Sequence, residues 1–291
     1  MANPDKQNRN RQVMIAMPKT PLNQKKGSID RSIIGFWLIG GFLVLFIILA
    51  ILTIAVPELG NPGHFAGVVI DPSVLLTLGI TLVAGLNAVV ILILFGTPLA
   101  YALSRSTFTG KGLVESIIDL PLILPHTVAG LMVYLLFMSQ GIIGAPLGNV
   151  GIVFEDAYPG IVVAMVFVAI PYYVNTVREG FETVPVRLEN VARTLGASRF
   201  RAFWHIVLPL STRHIAYGAL LAWGRAIGEF AAVIMIAYFP MVISTLIYYR
   251  FATGGLSEAM SVALVMIVIC GVIFVLFRFL LKKKGDADDR A

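Results

Sequence analysis

Long intervals without a charged residue alternate with short clusters of charge along this chain. Residues 32–57, 72–104, 120–154, 157–177 and 259–277 contain no Asp, Glu, Lys or Arg, and residues 214–249 contain only Arg225 and Glu229. A helix needs about 20 predominantly apolar residues to cross the hydrocarbon core of a bilayer. The pattern therefore predicts six membrane-spanning helices, over 33–57, 74–104, 117–139, 158–178, 214–238 and 259–281. Period-2 alternation with regularly spaced turns is missing from the sequence, which argues against a membrane β-barrel. The predicted fold is an all-α integral membrane protein with six transmembrane helices. It divides into a mobile basic tail (1–31), a six-span domain (32–281) and a short second tail (282–291).

Composition removes the main rival class. Of 291 residues, 58% are apolar and 13% charged, against roughly 45–50% and about 25% in ordinary soluble domains, so a soluble enzyme is excluded. The distribution of basic residues sets the orientation, because cytoplasmic flanks retain Lys and Arg. Twenty of the 22 fall in the N-terminal segment, the 105–116 loop, the 178–213 loop and the C-terminal end. Both termini are therefore expected in the cytoplasm. The net charge of +6 follows from this asymmetry and calls for no nucleic-acid partner. A single cysteine, Cys270, leaves no internal disulfide or cysteine-based metal cluster.

The long basic loop carries its own pattern. In RLENVARTLGASRFRAFWHIVLPL (187–210), Leu188, Val191, Ala192 and Leu195 recur at helical spacing, and Gly196 follows where a helix would stop. Phe200, Phe203 and Trp204 open a second helix, and Pro209 marks the entry to the next span. A helix, a tight turn and a second helix are predicted, either docked on a partner or resting on lipid headgroups.

This segment resembles the EAA loop of ABC importer permeases, which reads roughly E-A-A, three residues, Gly, nine residues, I-x-L-P. Val191, Ala192, Gly196, Ile206, Leu208 and Pro209 match, while Asn190 stands at the position of the motif's Glu and Glu189 one place earlier. DLPLILPHTVAG (119–130) and GRAIGEFAAV (224–233) resemble the third-span and fifth-span signatures of the oxyanion branch, the molybdate, tungstate and sulfate permeases. His126 stands where that branch has a second Pro, leaving Pro121 and Pro125 to bend the third helix. The resemblance implies a type I importer transmembrane domain in a prokaryotic cell membrane, with 187–210 as a coupling loop. It assigns ATPase coupling to Glu189, Asn190, Val191, Ala192, Arg193, Gly196, Ala197 and Arg199, and a gate or pathway role to Pro125, His126, Arg225 and Glu229.

Chemistry of the chain's own is hard to find. The nearest approach to an ATP-binding loop, Gly110-Lys111-Gly112, lacks the upstream Gly and the hydroxyl residue and reads as a loop lysine between flexible glycines. His64, His126, His205 and His214 are scattered without ligand spacing. No nucleophile and base stand together, so the chain reads as non-catalytic, without a cofactor, with ATP and Mg on a separate ATPase subunit. Arg225 and Glu229 share one helix face and read as an internal salt bridge, with attraction of a passing oxyanion as the alternative. His126 reads as a neutral ring bonded to a backbone carbonyl. Asn87, Thr77, Thr81, Tyr172, Tyr173 and Asn175 read as interhelical hydrogen-bonding groups or a polar path.

The resemblance thus implies import of molybdate or tungstate, with sulfate or thiosulfate as the alternative. The expected partners are a second copy of the chain in a homodimer, two ABC ATPase subunits, an extracellular oxyanion-binding protein and membrane lipid. A secondary transporter driven by an ion gradient is the rival mechanism; it would usually show related halves, and no internal repeat is visible.

Overall fold

The computed structural model describes residues 31–288, with side chains described from residue 33 to 277 and at Phe279. The predicted tail over 1–31 therefore lies, apart from Arg31, outside the described residues, as do residues 289–291 of the second tail. Among the described residues every regular element is helical: α1 (Arg31–Leu59), α2 (Pro62–Val69), α3 (Pro72–Ile91), α4 (Thr97–Arg105), α5 (Lys111–Ile123), α6 (His126–Phe137) and α7 (Gly144–Gly148). They are followed by α8 (Tyr158–Thr183), α9 (Val186–Thr194), α10 (Arg199–Ala202), α11 (Leu208–Leu210), α12 (Thr212–Ile227), α13 (Ala231–Ile236), α14 (Ile243–Gly254) and α15 (Leu256–Asp288). The chain divides into residues 1–52 and 53–291. In the first unit, residues 31–52 are the opening turns of α1, with residues 33–52 exposed almost throughout.

The second unit is organised around α8. Ile161, Met165, Val168, Tyr173, Val177 and Phe181 recur at three- to five-residue intervals and are fully buried, the spacing of one apolar helix face. With residues of α3, α4, α6, α12 and α13 they form the main core; a smaller cluster joins Val68 of α2, Val74 and Leu78 of α3, Ile243 and Leu246 of α14, and Val262 and Val265 of α15.

Four of the six predicted spans are single helices long and apolar enough to cross a membrane among the described residues: Ile33–Leu59, Pro72–Arg105, Tyr158–Thr183 and Leu256–Phe277. The other two are broken. The predicted third span is α5 and α6, bent by 115° between Ile123 and His126. Pro125 forces this break: the residue before a proline is excluded from the helical region, and Leu124 is extended at φ −67°, ψ 140°. The predicted fifth span is α12 and α13, separated at Gly228–Phe230. Lys111 opens α5, after Gly110 at φ +98°, and pairs with Glu115 at 3.8 Å, so it is no loop lysine. The short helices α2, α7 and α14 were not among the predicted elements, and α15 continues past the predicted boundary at 281.

Two π-helical turns, Leu92–Gly96 and Phe203–Val207, interrupt otherwise continuous helix. Each is followed, after one intervening residue, by a proline, Pro98 or Pro209. A helical proline donates no amide hydrogen bond and its ring pushes on the carbonyl four residues back; those carbonyls, of Leu94 and His205, lie inside the π turns. Widening the turn relieves the clash.

At the end of the bundle where α3 begins, Asp71 caps the helix by accepting the Ser73 amide at 2.8 Å, and Arg250 of α14 pairs with its other carboxylate oxygen at 2.6 Å. The Ser73 hydroxyl and Arg250 hold the Asp71 carboxyl down to about 2. A depressed carboxylate stabilises the fold above its unfolded value, 3.8, and loses that contribution as pH falls through the folded one. Titrating Asp71 by NMR in detergent is expected to show it still ionised at pH 3, and Arg250→Gln is expected to raise its midpoint toward the ordinary value.

Helices α6 and α13 approach closely because Gly130 has no side chain: a Cβ there would lie 2.7 Å from the Ala232 Cα. Gly130→Ala is expected to lower stability by about 1–3 kcal/mol, read as a lower thermal midpoint. Gly148→Ala, with nothing within 4 Å of the new methyl group, is the matched control.

Candidate functional site

The predicted helix, turn and helix over 187–210 are present as α9, α10, the second π turn and α11. Gly196 makes the turn at φ +91°, a conformation that costs an L residue with a Cβ strain. Ser198 caps α10, accepting the Arg201 amide at 3.2 Å. The two faces of α9 differ. Leu188, Val191 and Leu195 are exposed and, with Pro185, Ala192 and Ile206, line an apolar depression of about 800 Å³. A polar depression of about 500 Å³ borders Glu189, Asn190, Arg193 and Arg199 on the other side, together with Arg105. Ala197, whose amide bonds to the Ala192 carbonyl at 3.0 Å, closes the turn between them. One short helix thus offers an apolar ridge with a basic flank.

Glu189 holds α9 in place. Its side chain is 9% exposed, and Arg105 Nε donates to Oε1 at 2.6 Å. The Tyr101 hydroxyl donates to Oε2 at 2.7 Å, and Arg105 Nη2 donates to the Val184 carbonyl at the end of α8 at 2.9 Å. The Tyr101 ring packs on Phe203 of the second π turn (centroids 4.6 Å apart) and edge-on to Phe181 of α8 (5.8 Å). Tyr101 and Arg105 were missed by the sequence reading: Arg105 counted there only as a basic flank, and nothing local in sequence connects it to a residue 84 positions away. Glu189, one place ahead of the motif's usual Glu, makes this ion pair, while Asn190 is exposed.

The four proposed pathway residues meet where the two broken helices face each other. Arg225 Nη2 donates to Glu229 Oε2 at 2.6 Å and lies 3.0 and 3.2 Å from the two ring nitrogens of His126. The expected backbone-carbonyl partner of His126 is thus replaced by an arginine 99 residues away. Glu229 is 2% exposed, and its Oε1 accepts the Ala232 amide at 2.8 Å, satisfying a donor that the break before α13 exposes. The Ser244 hydroxyl donates to the Glu229 carbonyl at 2.9 Å. Pro125 supplies the bend that brings His126 here. The salt bridge read from the Arg225 and Glu229 spacing is therefore present.

The remaining polar candidates act mainly between helices. Asn87 donates to the Tyr158 hydroxyl at 2.8 Å, Tyr173 and Thr97 share a bond of 2.7 Å, and Asn175 donates to Asp119 at 2.7 Å. Thr81 accepts the Ile243 amide at 2.8 Å, whereas Thr77 bonds only within its own helix. No group of three or more metal-ligating side chains occurs among the described residues.

Removing the Glu229 charge leaves a guanidinium without its counter-ion in a largely buried site. Glu229→Gln keeps the acceptor for Ala232 and is expected to cost about 3–5 kcal/mol. Adding Arg225→Met is expected to recover most of that loss in denaturant or thermal unfolding.

Residues 92–284 match the family described as the binding-protein-dependent transport system inner membrane component. The chain is 37% identical over 257 residues, 88% of its length and 98% of the relative's, to the molybdate/tungstate transport system permease protein WtpB of Pyrococcus abyssi. It is 34% identical over 249 residues, 82% of its length and 90% of the relative's, to the sulfate transport system permease protein CysT of Salmonella typhimurium. Among solved structures, a bacterial ABC transporter involved in import of the acidic polysaccharide alginate matches with a TM-score of 0.62 at 20% identity, over 87% of this chain and 97% of that one.

Proposed function

Because the chain belongs to the family of binding-protein-dependent transport inner membrane components, we propose that it is the permease subunit of an ATP-driven importer for molybdate or tungstate. It is a multi-pass protein of the cell membrane with a type I importer fold. The observation that carries the coupling part of the reading is the exposed apolar ridge of α9, Leu188, Val191 and Leu195, fixed from behind by the buried Glu189. An apolar helix held rigidly at one end of a membrane domain suits insertion into a groove of a partner. Arg193 and Arg199 on its flank would favour a partner with an acidic rim.

Two copies of this chain would present two such helices, one to each of two ATPase subunits. ATP and Mg belong to those subunits, and an external binding protein delivers the anion. Six crossings with both termini in the cytoplasm agree with the basic residues at 105–116 and 178–213, two crossings apart. The broken helices α5–α6 and α12–α13 supply the gate. In this scheme Arg225 is neutralised by Glu229, so the cluster with His126 and Pro125 shapes the gate without a permanent free charge, which keeps an anion from lodging there. The greater similarity to a molybdate/tungstate permease supports those anions over sulfate.

Purified chain in proteoliposomes, with its ATPase and binding protein, is expected to accumulate labelled molybdate or tungstate only with ATP. Uptake driven by an ion gradient with the ATPase omitted would contradict the reading. Sulfate retained by the purified binding protein would overturn the substrate and leave the mechanism standing. Arg225→Glu is expected to abolish uptake together with assembly.

A further inference from the structure

We propose that Arg105 is a positioning residue for transport: with Tyr101 it locks α4 to the coupling helix α9, so that movement of α9 is delivered directly to the long α3–α4 helix at its π turn. The inference rests on the coupling reading above and extends it to residues that reading does not contain.

Three observations carry it. Arg105 is 13% exposed and holds two elements at once, Glu189 of α9 through Nε at 2.6 Å and the carbonyl of Val184, the residue that ends α8, through Nη2 at 2.9 Å. A planar guanidinium presents both donors in a fixed relation, which a lysine cannot do. Tyr101, one turn before Arg105, takes the other oxygen of Glu189, so both carboxylate oxygens are held from α4 and the pair resists rotation. The bonds are charge-assisted and shielded from water, the condition in which such bonds are strongest.

The third observation is where this rigid unit ends. Four residues before Tyr101, Thr97 shares its hydroxyl bond with the buried Tyr173, directly after the π turn Leu92–Gly96. At that turn a Cβ on Gly96 would lie 2.8 Å from the Tyr173 ring. On the other side, Phe203 of the second π turn packs against Tyr101. The unit formed by α4, α9 and α10 is thus bounded by two stretches of widened helix. Such turns are where a helix can change register at least cost, so a push on α9 is expressed there. Were α9 joined to the domain by its chain ends only, the turn at Gly196 and the link at Val184–Pro185 would absorb the same push.

The test uses the whole complex of permease, ATPase and binding protein in proteoliposomes and reads anion transported per ATP hydrolysed. Arg105→Gln is expected to leave the complex assembled and hydrolysing ATP while this ratio falls by a factor on the order of ten. Tyr101→Phe, which keeps the ring packed on Phe203 and Phe181 and removes only the bond to Glu189 Oε2, is expected to lower the same ratio in an assembled complex, by less than Arg105→Gln does. A wild-type ratio in Arg105→Gln, or a parallel fall of transport and hydrolysis at constant ratio, would overturn the inference. Should Arg105→Gln fail to assemble, Tyr101→Phe decides: assembly with a lowered ratio supports the lock, and a wild-type ratio or failure to assemble overturns it. A wild-type complex that transports without ATP would overturn the coupling reading itself, a result distinct from all of these.

Discussion

Among the described residues three carboxylates, Glu58, Glu189 and Glu229, are buried, and the last two are each held by one arginine at 2.6 Å. In a protein with only 13% charged residues, most of it suited to lipid, a buried charge is tolerated only with a partner and further hydrogen bonds. Both sites meet that condition, and both lie where regular helix fails. Glu229 satisfies an amide at the start of α13, and the partner of Glu189 satisfies a carbonyl at the end of α8. The ion pairs join elements that the breaks would otherwise leave free.

Apart from the split at Gly228–Phe230, the breaks follow from proline. Pro125 turns one predicted span through 115°, and Pro98 and Pro209 each follow a widened helical turn. A membrane domain that must open and close needs helices with weak places, and lipid requires that every polar group at those places find a partner within the protein. Thr97 supplies a bond beside Pro98, and Glu229 and Ser244 supply bonds at the split before α13. Between these places the helices pack about the buried face of α8.

The long apolar intervals were enough to read an all-helical membrane protein, and four of the predicted spans are close to the observed helices. The breaks were only partly legible. Pro121 and Pro125 announced a bend, but a 115° angle depends on what α6 packs against, chiefly Ala232 at Gly130, which no local pattern reveals. The split at Gly228–Phe230 was hidden because no proline marks it. At the coupling loop, the spacing of Leu188, Val191 and Leu195 and the Gly196 turn were readable as an amphipathic helix with a stop. The Arg105–Glu189 lock was not, since it joins positions 84 apart across two helices. The Arg225–Glu229 pair was readable because four residues separate them; its contact with His126 was not.

Coupling through α9 depends on what touches its exposed ridge. A photo-crosslinking residue placed at Leu195, which is 83% exposed, reports its neighbour directly in native membranes. Docking of this helix on an ATPase subunit is expected to give an adduct with that subunit, lost in Gly196→Val. Adducts with lipid alone, from a chain that still transports, would show that this helix rests on the membrane surface and would contradict the coupling mechanism.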